Sequence, residues 1–263
     1  MPFTESNYEN AVLQLLTQTL GYSYAYGPDI ERDYHSPLYE DELLSALRAV
    51  NPDLPQAALD DAVYKLKNFE SGSLLQKNMA LTDYLQNGVP VKFVVQGEER
   101  SSLVYLVDYQ HPERNQFTAI NQWTVIENSE KRADMVLFVN GLPLVVVELK
   151  SPSREETDAS ATYRQLRNYM HEIPSLFIYN QVCVMSDLTT PRRAPLPPGK
   201  TALWSGKPRM AVTKIPSMPS LTPSLRASSR KSGSWTSSRT LFALMWTGPI
   251  PLRSWQATTS ILQ

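Results

Sequence analysis

The stretch ADMVLFVNGLPLVVVELK, residues 133–150, decides the fold. Two apolar runs, MVLFV and PLVVV, flank Asn140-Gly141, the favoured pair for a two-residue hairpin turn. The spacing predicts antiparallel strands over 133–139 and 143–149. Pairing them sets the start of the first arm beside the end of the second. Asp134 therefore comes near Glu148 and Lys150, whose i, i+2 spacing puts both on one face. Two carboxylates and an ammonium meet at the end of an otherwise apolar hairpin.

Two carboxylates with a backbone carbonyl between them are hard oxygen ligands suited to Mg²⁺, which keeps several waters and binds phosphate. A lysine beside the metal can hold or help deprotonate a water for attack on phosphorus. The blander alternative is a surface ion pair at solvated strand ends, because Glu-x-Lys is common in charged sequences. Two features favour chemistry. The charges directly end the apolar runs, where sheet-based sites usually lie. Gln165 and Tyr169, at i, i+4, share one face of the helix expected next.

Upstream the periodicity is helical. Ser6-x-x-Glu9 reads as a capping box before Ala11, Val12, Leu15, Leu16 and Leu20, with Gly21 as the stop. Helices follow over 40–50, from Pro55 through Leu66, and from about Ser73 to Asn87-Gly88. The period then switches to 2 or to solid apolar runs. This predicts strands at 90–96, 102–109 and 116–126 before the hairpin. A helix is expected from about Glu155 to Met170, then short strands at 176–179 and 182–185. Helices first, then a mixed sheet with a helix laid across it, make an α/β or α+β domain. Tyr22, Tyr24 and Tyr26 could stack bases, but a loop or strand after the first helix explains them better. Glu155-Glu156 reads as the first turn of a helix, and His111 as a loop residue.

The chain has 263 residues, one cysteine and three histidines. That is enough for a sizeable core, and too few thiols for a disulfide framework or a cysteine zinc site. With no 18-residue apolar run and no leader-like N-terminus, a soluble cytoplasmic protein is expected.

The near-neutral net charge of −1 hides a split after Thr190. Of the 25 Lys+Arg, 11 lie in residues 191–263, which hold none of the 26 Asp+Glu. The first 190 residues therefore carry 14 basic and 26 acidic side chains, a net of −12. Half of the 20 prolines and four of the five tryptophans also lie in the tail, but none of the 13 tyrosines. A basic nucleic-acid-binding arm fits four tryptophans and the total absence of acid badly. Back-translated and read one base out of step, Ala194–Pro208 can give G-T-F-T-A-G-E-D-R-F-M-E-W-K-T. This points to a frameshift near Thr189–Pro191, with residues 190–263 an out-of-frame, mostly disordered tail. PPGKT at 197–201 lacks the first glycine of a phosphate-binding loop, so no nucleotide site is expected.

At these residues the chain resembles the N-terminal nuclease domain of type I restriction enzyme R (restriction, motor) subunits. These belong to the RecB-like branch of PD-(D/E)xK nucleases. Glu9 in YENAVLQLL matches the family's helix glutamate, Asp134 and Glu148-Leu149-Lys150 its D…ExK hairpin, and Gln165…Tyr169 its Q-x-x-x-Y helix. The resemblance covers about residues 3–189, and the shifted tail reading resembles the segment that leads on into the motor. It implies a restriction-endonuclease-like mixed sheet flanked by helices. Asp134, Glu148 and the Leu149 carbonyl would hold Mg²⁺, and Lys150 would position the attacking water. Gln165 and Tyr169 would hold DNA or orient the site, and Glu9 would support it.

For an intact subunit the resemblance implies ATP-driven translocation on double-stranded DNA, in complex with methylation and specificity subunits, ending in cleavage. No Walker or helicase motif is present here, so ATP would belong to the parent subunit alone. A non-catalytic remnant that only docks to partner subunits stays open as an alternative. A stand-alone repair or mobile-element nuclease is set apart by the out-of-frame tail, since it would need an authentic C-terminus.

Overall fold

The computed structural model describes residues 5–150, 159–187, 201–202 and 210–213. The first helix, α1 (Glu5–Gln14), runs on into one π-helical turn at Leu15–Thr19. Gly21, with φ 72°, then stops it as expected. Ser6 is already inside this helix, so the proposed capping box does not form, and Glu9 reaches across to a strand instead. A short strand that the sequence reading left open, β1 (Ser23–Tyr26), follows.

Three amphipathic helices come next: α2 (Glu40–Val50), α3 (Gln56–Lys67) and α4 (Leu74–Asn87). Ser73 caps α4 in a complete capping box with Gln76. Two strands, β2 (Val89–Val95) and β3 (Glu98–Val104), pair antiparallel as a separate ribbon against α3. The second of these was expected at 102–109 and starts and ends earlier.

The main sheet holds β4 (Phe117–Ile126), β5 (Glu130–Val139) and β6 (Leu142–Lys150). After it come α5 (Ala159–Glu172), α6 (Pro174–Tyr179) and β7 (Val182–Asp187). The expected strand at 176–179 is thus a helical turn. Pro174 at its first turn favours helix, and its apolar residues pack on the α5 face of the sheet and against α4. The expected start of α5 at Glu155 and the pair Glu155-Glu156 lie outside the described residues.

Two strands from the tail, β8 (Thr201–Ala202) and β9 (Met210–Thr213), complete the order β1-β4-β5-β6-β7-β9-β8. β9 pairs with β7 and β8 pairs with β9; the rest of the tail, expected to be disordered, lies outside the described residues. β1–β4 and β6–β7 pair parallel, the others antiparallel, so the sheet is mixed as predicted. The α5–α6 segment forms the crossover between parallel β6 and β7.

Each face of the sheet carries a core. One side buries Leu137, Val145, Val147 and Leu149 under α1–α4. The other packs Trp123, Val136, Phe138 and Val146 against Leu166 and Phe177 of α5 and α6. Fully buried side chains such as Trp123 and Phe138 each contribute roughly 1.5–3 kcal/mol of transfer free energy or more.

The hairpin forms as read from its turn. Asn140 (φ 52°) and Gly141 (φ 75°) take the left-handed conformations of a type I′ turn. Asn140 is fully buried; it accepts from Gln116 N–H and donates to the Leu106 carbonyl and to Asn115. Glu42 of α2 accepts the Gly141 N–H at 2.9 Å and is bonded by the Thr118 hydroxyl. The helical layer thus clamps the closed end of the hairpin whose open end carries the charged residues. Among the described residues, no helix is long and apolar enough to cross a membrane.

Candidate active site

β5 and β6 pair in register from Val139↔Leu142 back to Met135↔Val147, with one bulge near Leu137/Phe138. Beyond Met135↔Val147 a side chain replaces the ladder. Asp134 Oδ2 accepts the Leu149 N–H at 2.7 Å, so its half-buried carboxylate sits between the two strand ends. Glu148 is the other carboxylate, with none of its surface exposed. A carboxylate buried this completely needs donors, because burying unsolvated charge costs several kcal/mol.

The helix after the hairpin supplies one. Gln165 Nε2 donates to Glu148 Oε2 at 2.8 Å and to Tyr169 Oη at 3.0 Å. Tyr169 Oη in turn donates toward the Arg132 carbonyl at 3.4 Å. The i, i+4 pair on α5 therefore faces the sheet, and its two side chains meet at Glu148 rather than in solvent. Burial pushes the Tyr169 hydroxyl up to about 12, helped by the charge of Glu148 and, less, of Asp134. Burial also pushes the Cys183 thiol up to about 12, again helped by Glu148. Cys183 lies on β7, opposite Val146, with its Sγ donating to Asn180 Oδ1 at 3.1 Å.

Glu9 stands on the other side of β4. Its Oε1 accepts from Asn121 Nδ2 at 2.7 Å and from Gln122 Nε2 at 3.4 Å, and α1 packs on β6. Tyr24 Oη donates to Asn121 Oδ1 at 3.1 Å. The structure thus brings Asp134, Glu148, Gln165 and Tyr169 together directly, and Glu9 through β4. Lys150 ends β6 two residues beyond Glu148, in register with Asp187; its side chain lies outside the described part. His111 is a loop residue, as expected, paired with Asp108 at 3.4 Å.

Sequence reasoning missed Asn121, Gln122 and Cys183. An adjacent amide pair, Asn121-Gln122, interrupting the apolar alternation of β4 was the available signal.

Among the described residues, no group of three or more His, Cys, Asp and Glu side chains is arranged to hold a metal ion. The groups at the hairpin end that could hold a metal are the carboxylates of Asp134 and Glu148, with the backbone carbonyl of Leu149 as the third expected from the sequence. That all-oxygen, doubly anionic set fits Mg²⁺ and leaves coordination places for water and phosphate. It suits zinc less well, because protein zinc sites are built mainly on histidine nitrogen and cysteine sulfur.

The family described as "Type I restriction enzyme R protein N terminus" matches residues 2–193. The type I restriction enzyme HindI endonuclease subunit of Haemophilus influenzae is 36% identical over 193 residues, covering 70% of this chain and 18% of that protein. The putative type I restriction enzyme MjaIXP endonuclease subunit of Methanocaldococcus jannaschii is 33% identical over 190 residues, 68% of this chain and 18% of its own. The SsaAORF53P endonuclease subunit of Staphylococcus saprophyticus is 32% identical over 106 residues, 39% of this chain and 10% of that subunit. The chain spans under a fifth of the length of the first two relatives, and its matching part contains the hairpin and the α5 pair. It belongs to the type I restriction enzyme R protein N-terminal family.

Proposed function

We propose that this chain is a Mg²⁺-dependent DNA endonuclease domain that hydrolyses phosphodiester bonds of unmodified foreign DNA. One observation carries the reading. Asp134 is lodged at the parting of β5 and β6 beside the buried Glu148, whose charge is held by Gln165 from α5. Two carboxylates brought to one largely buried place repel each other when both are ionised, so the arrangement suits a bound cation.

Asp134, Glu148 and the Leu149 carbonyl would hold the Mg²⁺. When bound, the ion neutralises charge on the phosphoryl oxygens and lowers the pKa of a coordinated water. The chain's own groups do the rest. Lys150 is assigned to hold the attacking water. Gln165 fixes the rotamer of Glu148, and the protonated Tyr169 keeps Gln165 aimed. Water adds to phosphorus, the bond from phosphorus to the 3′-oxygen breaks, and the products are a 5′-phosphate and a 3′-hydroxyl.

Double-stranded DNA is the proposed substrate, delivered by the ATP-driven motor of a parent subunit working with methylation and specificity subunits. Residues 1–190 carry a net −12, which disfavours tight duplex binding by this region alone. Residues 190–263 are, on the same reading, out-of-frame text. The family match ending at residue 193 supports this.

Calorimetric titration of the full chain with Mg²⁺ tests the reading. One site is expected in the wild type and none in Asp134→Asn or Glu148→Gln. Wild-type affinity in both variants would remove it.

A further inference from the structure

β4 changes face halfway along. Phe117 and Ala119 join the core under α1–α4, whereas Trp123 and Val125 join the core under α5. The change falls at Gln122, a non-glycine residue at φ 56°. Such backbone costs on the order of 1–3 kcal/mol and persists only where the surroundings hold it. Its neighbours pair as Asn121↔Met135 and Trp123↔Ala133, so Gln122 stands opposite Asp134. β5 crosses over at the same level, with Ala133 in the α5-side core and Met135 in the other.

Three elements clamp the crossover. From α1, Glu9 accepts both the Asn121 and Gln122 side-chain amides. From β1, the Tyr24 hydroxyl donates to the far end of Asn121. Just after β1, Gly27 lies so close that an added Cβ would stand 2.6 Å from the Gln122 carbonyl oxygen and 2.8 Å from that of Asn121. A left-handed residue, a backbone contact only glycine allows, and a directed hydrogen-bond chain all converge on the position facing Asp134.

We infer that Tyr24, Asn121 and Glu9 are positioning residues: they hold the Gln122 crossover and through it set the Asp134 carboxylate against Glu148. This deepens the nuclease reading and rests on it. Glu9 works here as a hydrogen-bond acceptor, not as a metal ligand. Its carboxylate and the strained strand form one unit, so their variants do not act independently.

The test titrates the full chain with Mg²⁺ alone, following melting temperature in parallel. Glu9→Ala and Asn121→Ala each weaken binding by about tenfold, the lower end for partners that orient metal ligands. Glu9→Gln, which keeps the acceptor oxygen, restores most of the affinity. The Glu9→Ala/Asn121→Ala pair is no weaker than Asn121→Ala alone, because residues of one network are not additive. Tyr24→Phe, which removes one exposed-side hydroxyl, weakens binding less, in the same direction, and covers the case in which Asn121→Ala does not fold. Wild-type affinity in Glu9→Ala and Tyr24→Phe, with affinity lost in Asp134→Asn, overturns this inference and leaves the nuclease reading standing. Additive losses in the pair, or no rescue by Glu9→Gln, also overturn it. Affinity unchanged in Asp134→Asn removes both.

Discussion

The carboxylate of Asp134 takes the backbone N–H of Leu149 at 2.7 Å, in the place where a strand ladder would otherwise continue. One side chain therefore does two jobs, satisfying β6 and presenting charge next to Glu148.

Those two jobs separate by substitution. Asp134→Asn keeps an oxygen for the Leu149 N–H and removes the charge, so it should melt close to wild type while losing Mg²⁺ binding. Asp134→Ala leaves that N–H unsatisfied and should cost a further ~1–3 kcal/mol. Thermal unfolding of both variants checks this. Equal melting temperatures for Asn and Ala would mean that the bond to Leu149 contributes nothing.

Gln165→Leu removes the amide that donates to buried Glu148 while keeping the volume. A loss of ~1–3 kcal/mol is expected, concentrated where Glu148 is ionised. Denaturant titration at neutral pH measures it, and added Mg²⁺ should recover part of the loss by taking over the charge.

Tyr169 sets an alkaline limit. Its folded-state value is raised to about 12 by burial and by Glu148, above the ordinary ~10 of an unfolded tyrosine. Its contribution is therefore fully present below about pH 10 and is lost as pH rises through about 12. Burial raises Tyr22, Tyr109 and Tyr179 in the same direction. The melting temperature should fall steeply above about pH 10, less steeply in Tyr169→Phe. An unchanged slope in that variant would show that Tyr169 does not ionise on unfolding in this range.

Cys183, the chain's one cysteine, is buried with its thiol pushed up to about 12. At about pH 8 it should resist alkylation until β6 and β7 open, since the thiolate is the reactive form. Labelling by mass spectrometry at increasing denaturant should track global unfolding. Rapid labelling of the native chain would contradict the burial of this strand.

The hairpin was legible because its signals are local. Asn140-Gly141 demands a left-handed turn, and two apolar runs of fitting length flank it, so Asp134 and Glu148 had to meet. The i, i+4 spacing of Gln165 and Tyr169 likewise survived folding. Ile178 and its neighbours misled because a short apolar run is equally good strand or helix, and Pro174 with the packing surface decided for helix. Ser6 misled because a capping motif also reads as an ordinary first turn. The Tyr24–Asn121–Glu9 chain was invisible for a different reason: Asn121 lies about a hundred residues from both Tyr24 and Glu9 and meets them only through tertiary packing.

The tail proposal has its own check. Sequencing the gene across codons 185–263 should show an open frame one base out of step, reading G-T-F-T-A-G-E-D-R-F-M-E-W-K-T and continuing. An uninterrupted in-frame tail shared by intact relatives would end that idea.

The most direct measurement is nicking of supercoiled plasmid by the full chain in Mg²⁺, beside Asp134→Asn and Lys150→Ala. Open-circular product from the wild type, absent in EDTA and in both variants, is the predicted result. Nicking that survives either substitution, or no nicking from a wild type that binds Mg²⁺, would contradict the claim that this site cuts DNA in this chain.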